Sequence, residues 1–101
     1  MPTTKQYHDD ILASLDSHHL TTRKMMGEYL LYFDKVLIGG FYDNRILLKQ
    51  TPQPMTLLQS VPLVEPYKNA KKMYHIDHTF SNEQILNIMK DIQQQLNKYP
   101  I

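Results

Sequence analysis

The sequence predicts an α+β fold: an antiparallel sheet of about four to five strands with an N-terminal and a C-terminal helix packed on it. Three observations predict it. A helical apolar stripe opens the chain, short aromatic and aliphatic runs separated by two-residue polar turns fill its middle, and a second, longer helical stripe closes it.

In the first stripe Tyr7, Ile11, Leu12 and Leu15 recur at i, i+4, i+5 and i+8, with Asp9, Asp10, Ser14 and Asp16 on the other side. This predicts a helix from about Lys5 to His18. The runs from Met25 to Phe33, Val36 to Tyr42 and Arg45 to Lys49 read as three strands of an antiparallel meander. Asp34-Lys35 and Asp43-Asn44 are the turns between them, and Asn tolerates the positive φ that tight hairpins need. Gly27 stands inside the first run and predicts a bulge or a positive φ there. Gly39-Gly40 interrupts the second run, which suggests that something bulky crosses close to the backbone. Pro52, Pro54, Pro62 and Pro66 mark a connection, with one or two helical turns over Met55 to Gln59. Lys72 to Asp77 alternates imperfectly and reads as a further strand.

The last helix has the clearest local signal. Ser81 and Gln84 fit a capping box, and Phe80 with Ile85 fits a hydrophobic staple. Ile85, Ile88, Met89, Ile92, Leu96 and Tyr99 form one stripe, and Pro100 ends it. A helix from Asn82 to about Asn97 follows, lying on the sheet.

The totals exclude several classes. The 101 residues are the size of one domain, with no repeat or linker, so residues 1–101 read as a single unit. There is no cysteine, which removes disulfides, thiol nucleophiles and iron–sulfur ligation. No apolar run reaches signal-peptide or membrane-spanning length, so the expected location is cytoplasmic, without membrane attachment. Eleven Lys and Arg against ten Asp and Glu leave a net charge of +1, too balanced for binding nucleic acid mainly through phosphates.

Met25-Met26-Gly27-Glu28-Tyr29-Leu30-Leu31-Tyr32, with Gly39-Gly40-Phe41-Tyr42-Asp43-Asn44-Arg45-Ile46-Leu47-Leu48-Lys49, resembles the central motif of TfoX/Sxy N-terminal domains. Pro66-Tyr67-Lys68-Asn69-Ala70-Lys71-Lys72-Met73 is similar to a segment of small stand-alone members of that family in low-GC Gram-positive bacteria. The resemblance runs from about Tyr7 to Tyr99. Those members usually carry Gly at the position of Asn69, and Asn is the best replacement where positive φ is required. The resemblance implies a two-layer sandwich similar to secretion-chaperone-like folds. It also implies a non-enzymatic interaction module with a protein partner in transcription regulation. The family's competence regulators carry a second, C-terminal domain with no counterpart before Ile101, so their regulatory role is not carried over whole.

No residue pattern identifies catalysis. There is no G-x-S-x-G and no phosphate-binding G-x-x-x-x-G-K, and neither a cofactor nor a metal is expected. His75-Ile76-Asp77-His78 is the most site-like cluster, but two His and one Asp are a weak ligand set, and an exposed strand end is the favoured reading. His18-His19 is expected to interact with the C-terminus of the first helix. Glu28, the carboxylate within an apolar run, either acts as a buried base near Tyr29 and His75, in a small enzyme or ligand-binding pocket, or faces solvent or pairs with Lys49 or Arg45. The ion pair is the favoured reading. Lys68, Lys71 and Lys72, with Arg23, Lys24, Arg45 and Lys49, make a candidate basic patch for a nucleic-acid-binding regulator, with Tyr67 and Tyr74 available for stacking. Solvated lysines are the favoured reading here too.

The strands carry apolar residues on both faces. Tyr29, Leu31 and Phe33 oppose Leu30 and Tyr32; Val36, Ile38 and Tyr42 oppose Leu37 and Phe41; Ile46 and Leu48 oppose Leu47. Helices cover one face. The other needs either the Thr51–Lys71 connection folded across it or a second copy of the chain. A homodimer is the expected solution, with Tyr32, Leu37 and Tyr42 as contact residues.

Overall fold

The computed structural model describes residues 2–77 and 79–98. The order is α1 (Lys5–Leu15), β1 (Leu20–Met25), β2 (Glu28–Phe33), β3 (Val36–Phe41), β4 (Ile46–Leu48), β5 (Leu63–Val64), β6 (Met73–Ile76) and α2 (Asn82–Lys98). The strands form one antiparallel sheet in the order β1-β2-β3-β4-β6-β5. The fold is the expected α+β sandwich, with both helices on one face of a six-stranded sheet.

The polar residues at its ends set α1. Thr4 Oγ1 accepts from the Tyr7 N–H at the start, and Asp16 ends the helix in the left-handed region at φ 47°. The helix therefore stops at Leu15, short of the expected His18. In α2 the capping box forms as read: Gln84 N–H donates to Ser81 Oγ at 3.1 Å, and Ser81 N–H donates to Gln84 Oε1 at 2.9 Å. Ile88, Met89 and Ile92 are fully buried, with Ile85 and Leu96 nearly so. Tyr99 and Pro100, expected to finish that helix, lie outside the described residues.

Three successive hairpins build β1 to β4, each with two turn residues at positive φ: Met26-Gly27 (49° and 85°), Asp34-Lys35 (47° and 69°) and Asp43-Asn44 (53° and 55°). These are the mirror-image turns whose twist matches paired strands. Gly27 has the expected positive φ, but it belongs to a turn and not to a bulge within one strand. The run from Met25 to Phe33 thus divides, and Leu20–Met25 is a strand the sequence did not announce.

A bulge does occur, opposite Leu31 and Tyr32: Leu31 pairs with Gly39 and Tyr32 with Leu37, leaving Ile38 as the extra residue. It corrects the facing expected in β3. Ile38 and Phe41 both enter the core between sheet and helices, whereas Leu37 and Tyr42 turn to the opposite face. In β2 and β4 the alternation holds as read, with Leu31, Phe33, Ile46 and Leu48 toward the helices.

The proline-rich connection also divides. Met55, Leu58 and Val61 pack on the helix-side core, and Thr56–Leu58 is a single 3₁₀ turn. From Val64 onward the chain crosses the opposite face, where Val64 packs with Tyr42, Leu47 and Met73.

Candidate functional site

On the face away from the helices, the 66–71 segment borders an open groove of about 680 Å³ that continues past the sheet to Val36 and to Leu96 of α2. Leu30, Leu37 and Met73 lie along its floor, Tyr42 on one side, and Tyr67 and Ala70 above. Two features of the sequence produce it. Gly40 has no side chain, and the Tyr42 ring occupies the space: a Cβ there would stand 2.6 Å from Tyr42 Cε2. This is the bulky crossing that the paired glycines implied. Asn69 reverses the chain at φ 67°, Ala70 N–H donates to the Tyr67 carbonyl, and the Gln50 side-chain amide holds the Lys72 carbonyl at 3.0 Å. The segment is thereby folded back over the sheet.

Burial raises the Tyr42 phenol above its ordinary pKa, and the nearby Tyr67 and Glu28 raise it further. Tyr42 is 8% exposed, so it is not the open contact residue that the sequence suggested; its own chain covers it. Tyr32 and Leu37 lie on this face half-buried, and Tyr67 is 65% exposed.

The structure separates the remaining candidates. Glu28 pairs with neither Lys49 nor Arg45. Its Oε1 accepts from the Thr3 N–H at 2.8 Å and the Asp43 N–H at 3.2 Å, which ties the N-terminal segment and the β3–β4 turn to the start of β2. Tyr29 faces the helices. His75 shares Glu28's face of the sheet, but β3 and β4 lie between their strands, and neither residue lines the groove. Among the described residues, neither the groove nor the smaller pocket beside His19 is lined by Glu28 or His75. Among the described residues no group of three His, Cys, Asp or Glu could hold a metal, and His78 lies outside them. Lys68, Lys71 and Lys72 are all exposed, but of the three only Lys71 lines the groove, together with Lys49.

Two histidine clusters were not legible as such. His8, on α1, stacks on Tyr29 with ring centroids 4.1 Å apart. Its Nε2 meets Thr22 Oγ1 at 2.7 Å and its Nδ1 meets Asp9 Oδ1 at 2.8 Å. Hydroxyl, imidazole and carboxylate follow in the order of a nucleophile, base and orienting acid. The ring is held at both nitrogens and against Tyr29, so the arrangement fastens α1 to β1 and β2. Lys5 and His8 bond Asp9 and hold its carboxyl below the usual range. His19 does not cap α1: its Nδ1 meets Asp34 Oδ1 at 2.6 Å, and its ring stacks on Phe33 beside a shallow pocket of about 250 Å³.

No family model matches the chain. Among curated proteins it is similar to an uncharacterized 12.7 kDa protein in the trpE 5′ region of Spirochaeta aurantia, 37% identical over 54 residues, which are 54% of this chain. The chain spans about half the length of that relative, 47%. No solved structure matches. No described helix is long and apolar enough to cross a membrane.

Proposed function

We propose that this chain is a non-enzymatic interaction module of the TfoX/Sxy N-terminal kind, serving a regulatory protein partner through the sheet face opposite its helices. The observation that supports this reading is the sheet face itself. Leu30, Tyr32 and Leu37 are half-buried there, next to Met25 at 45% exposure and the open groove. Such a contiguous apolar surface is characteristic of contact sites. The test is a photo-cross-linking side chain placed at Leu37 or, as control, at Gln94 on the exposed side of α2, in cells that make the protein. A discrete adduct from position 37 alone supports the reading. No adduct, or equal adducts from both positions, defeats it.

The same surface favours a homodimer as the second reading. Leu30, Tyr32 and Leu37 form a patch that a two-fold axis could pair with itself, now without Tyr42. Sedimentation at micromolar concentration decides it: a species near 12.0 kDa alone would end the dimer.

A further inference from the structure

We propose that the groove under the 66–71 segment binds a small organic anion: a carboxylate or phosphate head held by Lys49 and Lys71, on an apolar body that runs toward Tyr42 and Tyr67. This does not depend on the chain being an interaction module.

Charge complementarity selects the ligand class. Lys49 and Lys71 line the groove, and no carboxylate does. Among the described residues neither lysine's ammonium group makes an ion pair or hydrogen bond; the Lys49 backbone N–H donates to the Ile38 carbonyl. An unpaired lysine beside apolar surface offers a compact cationic point, suited to a single anionic head more than to the bidentate fork an arginine would make.

The two ends of the groove also differ in charge. Lys49 lies four residues along the chain from Arg45, which pairs with Tyr42 across the turn, so roughly 13 Å of strand separate the two ends. Lys71 precedes Lys72, whose carbonyl the Gln50 amide holds, and this puts both lysines toward the Gln50 end. At the other end Tyr42 and Tyr67 present rings, and Glu28 stands close enough to Tyr42 to raise its pKa. The lysine end places two cations in the groove lining, whereas the Tyr42 end places none there: Arg45 is engaged, its Nε donating to the Tyr42 carbonyl, and Glu28 lies outside the lining. The orientation follows: head on the lysines, body over Leu30 and Leu37, and far end between the tyrosines.

Size and polarity favour a small molecule over a peptide. A volume of about 680 Å³ is within the roughly 300–1,000 Å³ of small-molecule sites. A peptide laid in the groove would need partners for each buried amide. The lining offers few, since the Gln50 amide is already bonded to the chain's own backbone.

The test uses two dyes with similar rings, the anionic 1-anilinonaphthalene-8-sulfonate and the neutral N-phenyl-1-naphthylamine, with decanoate and decanol as competitors. The expected result is saturable one-to-one binding of the anionic dye, displaced by decanoate at least tenfold more effectively than by decanol. In K49Q/K71Q the anionic dye should bind at least tenfold more weakly, while the neutral dye changes less than twofold. K71Q alone, at an exposed position, should show part of that loss and guards against a folding defect. Y67A should weaken both dyes. Undiminished anionic-dye binding in K49Q/K71Q overturns the proposal, as does the absence of saturable binding to the parent. Co-sedimentation with phosphatidylglycerol vesicles without displacement by decanoate also overturns it, because the surface would then serve lipid headgroups and not a free ligand.

Discussion

Replacing Gly39 by Ala is the most demanding test of the sheet geometry. A Cβ on Gly39 would stand 2.0 Å from the Leu47 carbonyl oxygen, 2.9 Å from Leu48 Cα and 3.0 Å from the Leu47 carbonyl carbon. All three are backbone atoms of β4, so no rotamer change relieves the contact. β3 and β4 must part by about 1 Å to bring the closest atom out to 3.0 Å. Parting them strains a close-packed interior, at about 1–3 kcal/mol. It also weakens pairing around a carbonyl buried among Gly39, Leu47 and Leu48, for about 1–3 kcal/mol more. The sum, about 2–6 kcal/mol, is a large part of the roughly 5–15 kcal/mol that holds a domain folded. With about 4–8 °C lost per kcal/mol in a domain of this size, the midpoint should fall by roughly 8–48 °C. Gly40→Ala should cost less, because one of its two closest contacts, at 2.6 Å, is the Tyr42 ring, which can swing aside. Thermal melts of both variants by circular dichroism measure the order. A Gly39→Ala midpoint within about 3 °C of the parent, or above that of Gly40→Ala, would refute the geometry.

Ile92 is fully buried between α2 and the sheet, so Ile92→Asp should cost about 3 kcal/mol or more and abolish cooperative melting; a parent-like melt would show the helix in another register. Gly27→Val should destabilise by roughly 1–3 kcal/mol in urea titrations, since φ is +85° and a Cβ would already approach Pro2 Cβ to 3.1 Å; an unchanged midpoint would contradict that turn. Burial raises the pKa of Tyr7, and of Tyr42 with help from Tyr67 and Glu28. A raised folded-state pKa gives stability that is complete below the unfolded value of about 10 and is lost as pH climbs through the folded value. The melting temperature should therefore fall on the alkaline side, and fall less in Tyr7→Phe/Tyr42→Phe; an identical alkaline slope in that variant would assign the loss to other groups.

Elements with local signals were legible in the sequence. The capping box at Ser81, the stripe from Ile85 to Leu96 and the turns at Asp34-Lys35 and Asp43-Asn44 each depend on residues within one or two turns of chain. β1 was not legible, and its place in the sheet explains why. It is an edge strand whose residues, Leu20 apart, are exposed or half-buried, and Thr21, Thr22, Arg23 and Lys24 give no apolar alternation. Charged residues on an edge discourage pairing with other chains, and the same charges hide the strand from a reading based on hydrophobic period. The bulge at Ile38 was hidden for a different reason. An extra residue is defined only against the partner strand, so nothing within Val36–Phe41 reveals that Ile38 and Phe41 share a face. The polar start was likewise uninformative. Thr3 is buried because its hydroxyl donates to the Phe41 carbonyl and accepts from the Asn44 N–H, contacts that depend on residues about forty positions away.

The site shows the same division between composition and placement. Lys68, Lys71 and Lys72 read as one basic patch, because three lysines within five residues carry a charge signal whatever the backbone does. The backbone separates them. Asn69 in the left-handed region reverses the chain between Lys68 and Lys71, and the Gln50 amide fixes the Lys72 carbonyl. Lys71 is thereby turned into the groove beside Lys49, while Lys68 and Lys72 are exposed outside its lining. Gly40 acts in a similar way on Tyr42: without a side chain at position 40, the ring lies flat enough on the sheet to be buried by the segment above it. A glycine and an asparagine, neither of which touches a ligand chemically, thus determine that two lysines and two tyrosines meet at opposite ends of one cavity.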